Sequence, residues 1–536
     1  MSSSGWILAV CLVVLEGGRH AVWAEEGSGS ERNCSAIPPY LPPTAVNTTL
    51  RIRDLRASMI PLNISAYIIP ATDAHLSEYI APRDARLAWM SGFTGSAGTA
   101  VITQNKAVLW TDSRYWIQAE RQIDCNWELE RDASVRSITN WLILEIPEGG
   151  QVGFDPFLFS VDTFDVYNTN LAPAGRILKS IPDNLVDKIW TGRPPLPPDN
   201  PIRLPDNVIG RTWPMKVEQI RAQISDNPYK PTAVLLSALD ETAWLFNLRG
   251  NDIPFNPFFY SYTLLSMDEI WLFVHIERIT EELKVYLNSS CYHSYCVQLL
   301  EYSSVRSYLQ SYLQKLNVRV WVGTEYTNQA LYELITPEDK LLTTTYSPVL
   351  TTKAVKDATE QHILKEAHIR DAVAVMQLLV WLEKKVPEGT ETELTAAHFV
   401  DQCRRYRTVG TNSVLNDIHR KILMMQSEAY TRVLMGNIEI SRSVFPAGTR
   451  GVNMEMLGRR ALWEVGLNYG HGTGHGLGNY FGVHEWPVGF QSNNIPFQEG
   501  MFTSIEPGYY KENDFGIRIE DIAVTVPATT KVHPTN

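Results

Sequence analysis

The sequence predicts an α/β protein built from three successive blocks. Short apolar β-type runs alternate with helix-type runs through the first two blocks, and a long amphipathic helix then opens a third of different texture. Between the first two lies the proline-rich run from Arg193 to Pro201. Proline fits neither a helix interior nor a central strand, so this run marks a boundary.

The first block, from about Asn47 to Val186, carries strand-type runs at 65–69, 99–102 and 107–110. A small-residue turn at 92–98 and a helix-type run at 114–121 fall among them. The second block opens with a helix-type run at 213–224, followed by strand-type runs at 232–236 and 269–274. Two blocks of similar size and type suggest duplicated domains, although no strict repeat joins them. In the third block, residues 358–385 place Ile363, Ala367, Ala372, Val375, Leu378 and Leu379 close to a 3.6-residue period, the pattern of a helix laid on a sheet. Helical sequence follows at 392–406, 427–434 and 454–465. The stretch from Thr408 to Met425 shows no clear strand alternation.

Composition narrows the function classes. The 536 residues are 44% apolar, 20% charged and 10% aromatic, which supplies a core and excludes a disordered or collagen-like chain. Net charge is −12 with no dense basic block, so nucleic acid is not an expected partner. No internal apolar run reaches the roughly 18 residues of a membrane span.

Residues 1–24 read as a secretory signal peptide: an apolar run from Trp6 to Leu15, then Val22-Trp23-Ala24, then acidic sequence. Four Asn-x-Ser/Thr triplets, at Asn33, Asn47, Asn63 and Asn288, agree with export. With Cys11 in the leader, Cys34, Cys125, Cys291, Cys296 and Cys403 remain. An odd number requires at least one free thiol, and Cys291 with Cys296 is the nearest pair for a bridge.

Chemistry concentrates near the C-terminal end. His471, His475 and His484 lie close together, the first two each flanked by glycines that allow tight backbone and accessible rings. Alternate glycines exclude a helical HExxH site and favour a loop entering a strand. Glu506 and Glu520 sit among apolar strand residues, where a carboxylate needs a cation or a hydrogen-bond partner such as Arg518. One histidine and two carboxylates form a ligand set for a divalent metal that activates water.

The run from Gly470 to Glu520 resembles the X-prolyl aminopeptidase (aminopeptidase P) family of metallopeptidases, closest to its exported, membrane-tethered members. The likeness extends to residues 77–82, 91–100 and 110–116 in the first block and 244–253 in the second. It implies two creatinase-like α/β domains, residues 25–205 and 206–354, then a pita-bread catalytic domain, residues 355–536, usually in a homo-oligomer. It implies removal of the N-terminal residue from peptides with proline second, at a pair of manganese or zinc ions. His475, Glu506 and Glu520 match metal ligands. His471 and His484 match catalytic histidines that hold the peptide and stabilise developing charge. Arg86 matches an arginine that helps bind the peptide.

One departure stands out. The family's Asp-Ser-Gly-Gly and Thr-Thr-Asp-Ile-Thr-Arg-type runs carry the two bridging aspartates and belong between Tyr406 and Ser427; neither run is here. Asp417 and His419 are poor substitutes. The catalytic domain is thus expected to be incomplete near 407–426, with at most one weakly held ion and strongly reduced cleavage. The same departure leaves a non-catalytic peptide-binding or subunit-associating variant as the alternative. Location is expected to be extracellular or at the cell surface, with the family's lipid-anchor signal absent.

Overall fold

The computed structural model describes residues 10–13, 31–131, 136–291, 293–406, 424–491, 494–511 and 514–530. The stretch 407–423, which takes in most of the expected shortening together with Asp417 and His419, lies outside them.

The first strand, β1 (Val10–Val13), falls inside the expected leader and belongs to the C-terminal sheet described below. The first α/β domain contains β2 (Ala66–Pro70), β3 (Thr99–Thr103), β4 (Ala107–Trp110), β5 (Glu128–Glu130), β6 (Gln151–Phe154) and β7 (Ile177–Ser180). Their order is β5-β4-β3-β2-β6-β7. The three strands β2, β3 and β4 pair antiparallel, and β5, β6 and β7 join by parallel pairing. Alternate residues feed two cores. Tyr67, Ile69, Ile102 and Leu109 pack on one face, and Ile68, Val101 and Val108 on the other. Burial on both faces is why these runs are continuously apolar in the sequence.

A short pair, β8 (Ile202–Arg203) with β10 (Leu248–Arg249), flanks the second domain. Its main sheet comprises β9 (Ala233–Leu236), β11 (Ser261–Ser266), β12 (Ile270–Val274), β13 (Val297–Glu301), β14 (Val320–Gly323) and β15 (Leu341–Thr344). Strand order is β13-β12-β11-β9-β14-β15, with antiparallel pairing among β12, β11 and β9 and parallel pairing elsewhere. Order and orientation repeat those of the first sheet strand for strand. The two blocks are structural duplicates without a sequence repeat.

By contact the chain divides into two compact units. Glu25–Pro205 and Arg211–Thr351 form one, holding both duplicated domains; Asp206–Gly210 groups with Thr352–Asn536 and the N-terminal segment in the other. Two disulfides lie in the first of these, Cys34–Cys125 and Cys291–Cys296, and Cys403 takes part in neither. The bridge nearest in sequence is therefore present, and a second one accompanies it.

The division falls within the helix Pro348–Ala354, and the C-terminal unit continues with the long helix Ala358–Lys385. Asp357 starts the latter through a capping box: its carboxylate accepts from the Glu360 backbone while Glu360 reaches back to the Asp357 amide. Its sheet contains β16 (His475–Gly476), β17 (Glu485–Gly489), β18 (Phe502–Ile505), β19 (Gly508–Lys511) and β20 (Phe515–Val524). The order is β1-β20-β18-β16-β17, with β19 also on β20. Strand β1 runs antiparallel along β20, with Val10 opposite Glu520 and Val13 opposite Ile517. Among the described residues no helix is long and apolar enough to cross a membrane.

Candidate metal centre

Close backbone approach explains the glycine-rich run. A Cβ on Gly474 would lie 2.0 Å from the Ser504 carbonyl oxygen, so only glycine lets this segment seat against β18. His475 follows on β16, between β17 and β18, and is 7% exposed. Its amide donates to Ser504 Oγ at 2.9 Å, and that hydroxyl donates to Glu506 Oε1 at 3.1 Å. Its Nδ1 lies 2.9 Å from the Gly476 carbonyl oxygen and donates to it. This bond leaves Nε2 facing Glu506 Oε1 at 3.3 Å.

Glu506 follows β18, and Glu520 lies on β20. One ligand atom from each of His475, Glu506 and Glu520 falls within 4.8 Å of the others. Burial raises the pKa of both carboxyl groups, and Glu506 raises that of Glu520 further; Arg518 and His484 oppose the shift in each. The Arg518 guanidinium stands 3.6 Å from Glu506 Oε2 and 3.7 Å from Glu520 Oε2, too far for full compensation by direct hydrogen bonds. One imidazole and two carboxylates, all buried or partly buried, suit one divalent cation. Among the described residues the group ends at these three.

The His484 ring packs edge-on against His475, with centroids 4.2 Å apart. His471 is held differently. Its Nδ1 donates to the Gly472 carbonyl at 2.8 Å, and its Nε2 accepts from the Tyr510 hydroxyl at 2.9 Å. Arg459 fixes the start of the loop by donating to the carbonyls of Tyr469 and His471, with its guanidinium over the Tyr469 ring. The structure thus gathers His475, Glu506, Glu520 and His484, and ties His471 to β19 through Tyr510.

Arg86 belongs to the other unit. It is 7% exposed, donates two hydrogen bonds to Asp187 and one to Asp84, and shares both acids with Arg193. These partners fix the guanidinium beside Asp84 and Asp187. Tyr510 and Arg459 escaped the sequence reading. Tyr510 stands four residues after Glu506 and could have been weighed as a strand neighbour. Arg459 has no local signal, since it acts on the loop from a preceding helix.

Comparison with known proteins follows this division. Residues 51–185 and 192–360 each match a Creatinase/Prolidase N-terminal domain, and 398–527 match Metallopeptidase family M24. Xaa-Pro aminopeptidase 2 of Sus scrofa is 51% identical across 98% of this chain and 84% of its own length. The Homo sapiens protein of the same name is 51% identical across 98% and 85%. The chain belongs to the Xaa-Pro aminopeptidase family. Among solved structures, an X-prolyl aminopeptidase from Caenorhabditis elegans, described as a cytosolic enzyme with a di-nuclear active site, superposes with a TM-score of 0.82 at 30% identity. It covers 91% of this chain and 89% of its own. This Xaa-Pro aminopeptidase family member accordingly has two creatinase-type domains before a metallopeptidase domain, and its family uses divalent metal.

Proposed function

We propose that this chain binds peptides carrying proline in second place and removes their N-terminal residue, with one divalent ion, manganese or zinc, held by His475, Glu506 and Glu520. The convergence of those three side chains beside the His484 ring carries the reading. The ion, when bound, polarises the scissile carbonyl and lowers the pKa of bound water. The chain's own groups do the rest. His484 lies where a hydrogen bond to developing negative charge is available, Tyr510 orients His471, and Ser504 orients Glu506.

One ion rather than two fits the ligand set among the described residues, and one ion implies turnover well below that of a di-nuclear relative. The match to the Sus scrofa protein runs over 579 positions against 536 residues here, which supports an internal shortening. The same donor count favours a second reading, a variant that holds peptide or joins intact subunits without cleaving. Release of the first residue from an Xaa-Pro-Pro peptide with added manganese separates the two. Cleavage abolished by Glu520→Gln supports the enzyme, whereas peptide binding without cleavage supports the alternative.

Export belongs to the proposal. All four acceptor asparagines, Asn33, Asn47, Asn63 and Asn288, are exposed, and the two disulfides suit an oxidising compartment. A homo-oligomer at or outside the cell surface completes it. An unglycosylated cytosolic product in secretory cells would count against it.

A further inference from the structure

Three buried charges meet behind the loop that carries His484. Glu485, the next residue, is 3% exposed and begins β17. Its carboxylate accepts a short hydrogen bond from Lys356 Nζ, and Lys353 Nζ lies 3.7 Å from its other oxygen. Lys353 is fully buried, and Lys356 is 4% exposed. Burying such groups is expensive even when they are paired, and the buried Glu360 adds a second carboxylate that favours the Lys356 ammonium. The remaining donors explain how the cluster is satisfied. Lys356 Nζ donates to the carbonyls of Lys353 at 2.8 Å and Ala354 at 3.2 Å, and Lys353 Nζ donates to the Trp486 carbonyl at 2.9 Å.

The contacts reach the whole segment between His475 and His484. The Lys353 ammonium stands over the Phe481 ring, 4.8 Å from its centroid. A Cβ on Gly478 would come within 2.7 Å of Glu485 Oε1, so the loop folds directly onto that carboxylate. Gly476 pairs with Glu485 across the β16–β17 ladder. Start, middle and end of the segment are therefore tied to one charge cluster, whose lysines come from the helix Pro348–Ala354 and the turn after it. None of the three charged groups belongs to the metal cluster.

We propose that Lys353 and Lys356, acting through Glu485, are positioning residues that hold His484 against His475. The consequence for turnover rests on the aminopeptidase reading; the consequence for His484 itself does not.

The test uses the full chain and its Lys353→Met, Lys353→Arg, Glu485→Gln and Phe481→Leu variants. Acylation of His484 by diethyl pyrocarbonate is followed by peptide mass spectrometry, with His362 on the long helix as internal control. Lys353→Met and Glu485→Gln are expected to accelerate His484 modification about tenfold, equivalent to about 1.4 kcal/mol of loop opening, with manganese content unchanged. Lys353→Arg should restore the parent rate, a rescue that simple loss of packing would not show. Phe481→Leu keeps all three charges and should give a smaller acceleration; it serves as the probe if the charge variants do not fold. Equal His484 rates across the folded variants overturn the proposal. Where turnover is measurable, Lys353→Met should lower kcat by about 100-fold with bound manganese retained. A parent chain without turnover counts against the proposed activity alone, and His484 reactivity still decides the positioning role.

Discussion

Glu506 and Glu520 stand opposite each other across one β-hairpin. Phe502 pairs with Val524 and Ile505 with Asp521; beyond Pro507 the same register resumes, with Gly508 opposite Arg518 and Lys511 opposite Phe515. The two carboxylates are thus a cross-strand pair of like charge, an arrangement that weakens a hairpin unless a cation intervenes. Arg518 supplies part of that charge from the same strand as Glu520.

Metal content follows from this pairing. Dialysed protein should retain no more than one manganese or zinc ion per chain. Glu506→Gln or Glu520→Gln should weaken binding by about 100-fold or more, whereas His484→Gln should leave it nearly unchanged. Equilibrium dialysis with metal analysis checks both. Two tightly held ions per chain would show that further ligands reach the site.

Gly474 offers a test of how the histidine is seated. Alanine there drives a methyl group into the Ser504 carbonyl, so β16 must withdraw from β18. Gly474→Ala should cost at least about 2 kcal/mol in denaturant unfolding and abolish metal binding. A variant with parental metal affinity would mean that β16 is not held where the hydrogen bonds place it.

Asp155 makes the duplicated domains pH-sensitive. It is buried, accepts from the Asn184 side chain and the Phe157 amide, and has its pKa pushed up to about 6, chiefly by desolvation. An unfolded chain releases this proton near pH 4. Between those values the native state holds more protons, so the contribution of this group to stability falls as pH rises from about 4 to about 6 and then levels. The drop is about 3 kcal/mol. Asp155→Asn should remove that slope, so parent stability should fall relative to the variant's by about 3 kcal/mol over this range in unfolding curves. Parallel curves would refute the assignment.

The two disulfides should differ in weight. Cys34–Cys125 closes a loop of sequence separation 91, and its removal by paired serine substitutions should cost roughly 4–5 kcal/mol; Cys291–Cys296, at separation 5, should cost about 2. Melting of each double variant measures the difference. Equal losses would indicate that local packing rather than chain entropy sets the effect.

Much of this architecture is legible in the sequence, for identifiable reasons. Strands buried on both faces, such as β3 and β12, leave unbroken apolar runs, and the helix Ala358–Lys385 announces itself through its period and its cap. His475, Glu506 and Glu520 were legible because chemistry-bearing residues cluster within one short region. Relationships made by the fold were not. No spacing rule joins Cys34 to Cys125, and Lys353 and Lys356 look like ordinary surface lysines until Glu485 is packed between them. The pairing of Arg86 with Asp84 and Asp187 was likewise invisible in the sequence, since Asp187 lies about a hundred residues away.

The pairing of β1 with β20 has a consequence for the order of synthesis. Val10 leaves the ribosome some 510 residues before its partner Glu520. A leader clipped after Ala24 during translocation would be gone before that partner emerged. Processing and this strand pair therefore exclude each other. In an unprocessed chain β1 covers one edge of β20; in a processed chain that edge presents bare amides and carbonyls to whatever strand it meets next.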